Sequence, residues 1–294
     1  MIGGRRSGRA QILGVAAAVA LGGLLAARPL AAERADPPLA AERRALLLDA
    51  ASRVEEALDE LIASLQTAID DGRHGAALVI QGDEPADPLL RSAAEVASTA
   101  RQQALAVQRA AQQLGGIAAS VAPDTALPAG VSPNALLGVD AQLEEAATQA
   151  PTFVTRRQAA SQTIEALGAA LAALDEVDVD AALDQLAAAR RARSVVAAWP
   201  EPPVVLPFWL RTTGAMLDAA RDIARAALDG DVQAAEAAGR AYRAAARDAR
   251  QADTALALVI AESGSGLTAT PLARLADALA RATRQRAAAA SVLE

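Results

Sequence analysis

Arg240, Arg243, Arg247 and Arg250 follow one another at steps of three, four and three residues, so on a helix their guanidinium groups form one stripe. A planar, permanently charged fork repeated in that way suits phosphate or carboxylate. It points to an anionic partner such as a phosphate-bearing polymer, a lipid headgroup or an acidic envelope protein. Arg274, Arg281 and Arg284 repeat the idea further on, and residues 240–294 hold eight Arg against five acids in an otherwise acidic chain. The competing reading is intramolecular: the stripe faces the acids between Glu55 and Glu60, which also accounts for the uneven charge of the two halves.

The aromatic residues form a second candidate. Only Phe153, Trp199, Phe208, Trp209 and Tyr242 exist, and three of them fall within the stretch WPEPPVVLPFWL. As core residues they fill the gap that Ala-rich helices leave between them. As a functional patch, Trp199, Phe208 and Trp209 offer an apolar surface to a ligand, partner or membrane, because the surrounding prolines keep the segment from burying itself in a helix.

Most catalytic and cofactor chemistry lacks its side chains. The 294 residues include no Cys and one His, and no Lys appears. Disulfides, thiolate nucleophiles, Cys-ligated metals, Schiff bases and a phosphate-loop lysine are excluded. The one imidazole, His74, sits between Arg73 and Gly75 and reads as a solvated loop residue rather than a general base. Glu55/Asp59 and Glu56/Glu60 are pairs four apart that share a helix face, but no calcium-loop pattern accompanies them, and a solvated acidic face is the expectation. Gly264-Ser265-Gly266 lacks the spacing of a nucleophile elbow. No catalytic, metal-binding or cofactor-binding residue is assigned, and an enzyme ranks last among the functional readings.

Residues 1–32 read as a secretory signal peptide. Arg5, Arg6 and Arg9 precede a nearly uncharged run from Ala10 to Ala27, and small residues follow Pro29. Cleavage is expected after Ala32, with a cut after Ala27 as the alternative. General secretion fits better than a twin-arginine route, because the residues after Arg5-Arg6 are not apolar. Uncut, the run becomes an N-terminal membrane anchor barely long enough against the roughly 20 residues a span needs. Either way the remainder lies outside the cytoplasm, as a secreted, periplasmic or wall-associated chain. Without the leader the chain carries 24 Arg against 35 acids, net −11, which argues against nucleic-acid binding.

Positioning these residues falls to helices. From Leu47 the apolar positions Ala51, Val54, Leu58, Leu61, Leu65 and Ala68 alternate steps of four and three, a coiled-coil-like seam, with Gly72 placed to end the helix. Asp87-Pro88 predicts the next start, and Leu90, Ala93, Ala97, Ala100, Ala104, Val107, Ala111 and Leu114 share its face. Pro123, Pro128, Gly130 and Pro133 mark 122–132 as a loop. Helices are then expected from Ser132-Pro133 to Gln149, from Thr152 to Glu176 after a break at Pro151, and from Asp178 to Ala198. Three more follow: Phe208 to Leu228, Asp231 to Glu262, and, after a flexible Ser263–Gly266 turn, a last helix capped by Thr270-Pro271. LDEVDVDAAL at 174–183 and LDGDVQAAEA at 228–237 resemble each other, 53 residues apart when Asp178 is aligned with Asp231, read either as duplication or as two Asp-capped turns of a common kind.

No alternating run of β-branched residues predicts a sheet. The expected fold is all-α: about eight Ala-rich helices in antiparallel hairpins, as one elongated bundle or two adjoining ones. The divisions are a signal peptide (1–32), an acidic hairpin (33–121), a Pro/Gly loop (122–132) and a C-terminal bundle (133–294). The leading functional expectation is an exported, non-catalytic interaction or structural module of the cell envelope. The alternative is a binding module for an anionic partner at the arginine stripe, or for a small apolar ligand near Trp209.

Overall fold

The computed structural model describes residues 37–200 and 202–293, so the expected signal peptide lies outside the described residues. Residues 1–45 and 46–294 separate as two units; the second contains the cores and the candidate site. Among the described residues there are six α-helices and no strand. They are α1 (Pro37–Gln81), α2 (Ala86–Val121), α3 (Val139–Asp175), α4 (Val179–Ala197), α5 (Leu206–Asp229) and α6 (Val232–Leu293), with a 3-10 turn at Pro133–Leu136 before α3.

The all-α expectation holds, but six helices replace about eight because two expected breaks do not occur. Pro151 lies inside α3 and Pro271 inside α6. Each proline removes one backbone hydrogen bond, a defect that costs about 3 kcal/mol in an unsupported helix. Here packing on both sides holds the helix together: Ala146, Ala147, Ala150 and Val154 are buried around Pro151, and Thr268, Pro271 and Leu275 are buried in α6.

Three helical glycines are explained by what packs onto them. A Cβ at Gly72 would stand 2.7 Å from Leu272 of α6, one at Gly75 2.8 Å from Leu90 of α2, and one at Gly264 2.9 Å from Val79 of α1. Glycine lowers helix propensity by about 1 kcal/mol relative to Ala, yet it is the residue that lets a neighbouring side chain seat against the backbone. α1 therefore runs through Gly72 and Gly75 to Gln81, and α6 runs through 263–271 without a turn. His74 is consequently an exposed helical residue, not a loop residue.

The expected seam is buried along its whole length: Leu47, Ala51, Val54, Leu58, Leu61, Leu65 and Ala68 all belong to one core. That core also takes Ala93 to Ala118 from α2, Leu136, Val139 and Leu143, and Leu275, Ala278, Ala282 and Ala289 from the end of α6. A second core joins the end of α3 to α4, α5 and the start of α6 through Leu167, Leu186, Leu217 and Tyr242, with Ala at most other positions. Between them, Ala159, Ala160, Val196, Leu206, Trp209, Leu256 and Ile260 pack together, as do Val79, Leu90, Ala147 and Val154. α6 contributes to all of these but the last as a fully buried partner, where Leu267 packs at the edge. By length and composition α6 holds a stretch able to cross a membrane, with mean hydropathy 1.2. Its buried positions from Tyr242 to Ala289 nonetheless fall mostly at steps of three and four, the spacing of a helix with one covered stripe.

Residues 122–132 form the expected loop, and the Ala129 amide donates to Gln285 Oε1 at 2.7 Å. The expected starts at Asp87-Pro88 and Ser132-Pro133 are displaced. α2 begins at Ala86, and the second proline opens the 3-10 turn, with Gly138 (φ 76°) leading into α3.

The two similar segments adopt the same turn. Val177 (φ 63°) and Gly230 (φ 69°) occupy the left-handed region. The next amide, of Asp178 or Asp231, donates to Ala173 O or Ala226 O at 2.9 Å in both cases. Each aspartate then caps the following helix, accepting from Ala181 N or Ala234 N at 3.0 Å.

Candidate functional site

The arginine row lies on the first half of α6, where Tyr242 and Ala249 face the core and Arg240, Arg243, Arg247 and Arg250 are all exposed. Arg240 pairs with Glu236 one turn earlier at 3.8 Å, a surface contact worth little in water. Among the described residues Arg243, Arg247 and Arg250 make no ion pair, and the Arg243 guanidinium passes over Gly239.

The acids of α1 take a different arginine. Arg286 binds Asp59 through Nε and Nη2 and lies 3.4 Å from Glu55. The Asp59 carboxylate, by hydrogen bond and charge, holds the Arg286 guanidinium above its ordinary pKa. The intramolecular reading is therefore corrected. Because α6 does not turn back at 263–271, the residue that reaches Glu55 and Asp59 is 36 positions beyond Arg250. The stripe is left at the surface. Of the later arginines, Arg281 and Arg284 are exposed, and Arg274 donates to the Leu137 carbonyl at 3.4 Å.

Beside the row, a groove of about 620 Å³ opens between the end of α3 and the start of α6. Leu171, Leu174 and Val232 form its apolar walls, Ile223 of α5 and Tyr242 also line it, and Asp175, Glu236, Arg240 and Arg243 carry its charge. Tyr242 is anchored by donating to Leu167 O at 3.0 Å, and burial raises its pKa above the ordinary 10.0. Gly239 and Ala235 keep the α6 wall low, which is why the space stays unfilled.

The aromatic candidates do not form one patch. Trp209 is 0% exposed and donates from Nε1 to Asp253 Oδ1 at 3.2 Å. It falls on the inward stripe of α5 with Leu206, Thr213, Met216 and Leu217. Phe208, one position earlier, is turned about 100° around the helix. It is 36% exposed and lies under Arg211. Trp199 is half-buried, meets Phe153 edge to face at 6.3 Å, and has the Arg156 guanidinium 4.6 Å from its ring. Burial lowers the pKa of Arg156.

Glu55 and Asp59 are occupied by Arg286, while Glu56 accepts from Ser52 at 3.5 Å. Among the described residues no group of three or more His, Asp or Glu stands close enough to hold a metal ion. No protein-family model, curated protein or solved structure matches this chain.

Two braces escaped the sequence reading. Arg193 donates from Nε to Thr213 Oγ1 at 3.2 Å and from Nη2 to Leu210 O at 2.7 Å, joining α4 to α5. Arg286 is the second. Single arginines without spacing carry no signal, so only the fold reveals them. The groove does have a faint trace, in that Leu174 and Val232 of its lining sit beside the two acidic turns, where polar residues would be expected.

Proposed function

We propose that this chain is an exported, non-catalytic helical interaction module of the cell envelope, built as two adjoining bundles that share α6. The observation that carries this reading is the row at Arg240, Arg243, Arg247 and Arg250. It is a positive surface on an acidic protein, and its own acidic helix does not cover it. The rigid shared helix holds the row's spacing, so an extended partner meets several guanidinium groups at once. Export rests on the leader-like arrangement of Arg5, Arg6 and Arg9 before the run from Ala10 to Ala27.

The partner class favoured by the row is an anionic polymer or an acidic envelope protein. Binding to a polyanion such as heparin is expected to weaken steeply as salt rises, because each neutralised charge releases a counterion. Arg243→Ala combined with Arg247→Ala is expected to abolish it. Unchanged binding in the double variant removes the row from the function. Native mass spectrometry of the chain taken from its host's envelope provides the companion test, since a retained partner mass supports the interaction reading.

A further inference from the structure

We infer that the groove between the end of α3 and the start of α6 binds a single-chain anionic amphiphile, with its hydrocarbon chain in the groove and its acidic head on Arg243. The inference rests on the reading of the arginine row as an anion-binding surface and extends it to a specific small ligand. The groove's volume of about 620 Å³ lies within the roughly 300–1,000 Å³ typical of small-molecule sites. Leu171, Leu174, Ile223 and Val232 give the walls an apolar character that water solvates poorly. Tyr242 is already committed to the Leu167 carbonyl, so its ring serves as floor while its hydroxyl makes no demand on a ligand.

Charge orients the occupant. Glu236 and Arg240 stand 3.8 Å apart and roughly offset each other's charge, whereas Arg243 makes no ion pair among the described residues and continues into Arg247 and Arg250 along α6. A carboxylate or phosphate head is therefore drawn to the α6 rim, and Asp175 on the α3 wall repels it from the other side. The same reasoning selects a free amphiphile over a bilayer. A bilayer surface laid against this end would meet Asp175, Glu176, Asp178, Asp180, Asp229 and Asp231 together, whereas a single head on Arg243 meets only Asp175 and Glu236 of the groove lining.

The test uses dodecanoate below its micelle concentration with the full chain, read by calorimetry and native mass spectrometry. Saturable one-to-one binding is expected. Arg243→Ala should weaken it about tenfold, the loss of one charge-assisted contact. Ala235→Trp, which fills the groove from an already half-exposed position, should weaken it at least as much. Dodecyl maltoside, with the same chain and a neutral head, should bind about tenfold more weakly than dodecanoate. A dodecanoate carrying a photoreactive group at its methyl end should label the chain near Leu174 and Ile223, which locates the site even if Ala235→Trp fails to fold. Absence of saturable binding, labelling elsewhere, equal binding of the maltoside, or preference for anionic vesicles over free dodecanoate each overturns the inference. Arg250→Ala lies off the groove and should weaken heparin binding while leaving dodecanoate unaffected. Failure of the groove is thereby distinguished from failure of the row.

Discussion

The two main cores of this chain mix Ala with larger apolar residues in similar shares and differ in extent. Around α1, α2 and the end of α6, the interior is a column of Val54, Leu58, Leu61 and Leu65 facing Val107, Leu114, Leu143 and Leu275. Around α3, α4, α5 and the start of α6 the core is smaller, with Leu167, Leu186, Met216, Leu217 and Tyr242 set among Ala166, Ala170, Ala189, Ala219, Ala220 and Ala249; Ala fills a similar share of both cores. A Leu side chain removes far more apolar area from water than an Ala, so the first core, which holds more Leu and Val in all, gains more from burial. Both carry specific braces: Arg286 to Asp59 and Ser92 to Asp71 around the first, Tyr242 to the Leu167 carbonyl and Arg193 to Thr213 and the Leu210 carbonyl around the second, and Trp209 to Asp253 beside it. Small interior residues let helices approach closely but leave space where they diverge, and the groove beside Arg243 opens at the end of the second core. Beside the leucine column the opening is smaller, about 220 Å³ lined by Ile69, Arg73 and Leu279, and Arg286 of that core is held by Asp59 and Glu55.

The contrast breaks first at its largest element. Leu61→Ala should cost about 4 kcal/mol, near the upper end for a fully buried leucine, and Leu186→Ala in the smaller core about 2 kcal/mol, since Leu186 is 5% exposed and solvent and neighbours can close over the space. Urea unfolding of the two variants decides it, and equal losses would remove the distinction. Gly264→Ala is next. Although Ala is the better helix former, its Cβ would meet the stiff Val79 side chain, and a net loss of about 1–2 kcal/mol is expected in the same measurement. A gain would mean that the glycine is not there for the α1 contact.

Tyr242→Phe sharpens the role of the braces. Removing one buried hydrogen bond should cost about 1 kcal/mol at neutral pH. The native phenol has a raised pKa, so its contribution is fully present below the ordinary 10.0 and is lost as pH rises through the raised value. Urea midpoints measured from about pH 8 to about pH 11 should fall for the parent chain and stay flatter for the variant. Matching slopes would place the alkaline sensitivity elsewhere. The smallest effect is a gain. Val177 is a β-branched residue at φ 63° and is 77% exposed, in a turn whose counterpart has Gly230. Val177→Gly should raise stability by just under about 1 kcal/mol, as relief of the left-handed strain exceeds the added chain entropy. Thermal unfolding compared with Gly230→Val, which should lose stability, tests the equivalence of the two turns.

Much of the scaffold was legible because it depends on local rules. The 3.5-residue seam from Leu47 to Ala68 reports a buried stripe whatever packs on it, and Asp178 and Asp231 cap their helices with their own carboxylates. The arginine row was legible as a stripe for the same reason. Its relation to the acids of α1 was not, because that depended on whether α6 stopped at Ser263–Gly266. Trp209 and Phe208 look alike in sequence, and only the rotation of α5 buries one and exposes the other.

By itself, then, the sequence determined the all-α class, the seam of α1, the 122–132 loop and the capped turns, since periodicity and capping act within a few residues. Tertiary structure alone decided that Gly72, Gly75 and Gly264 are contact points instead of helix ends, that Pro151 and Pro271 are carried inside helices, and that Arg286 pairs with Asp59 while Arg243 faces an open groove. The physical reason is that a glycine or proline weakens a helix by a fixed local amount, while the packing that offsets it comes from residues far away in the chain.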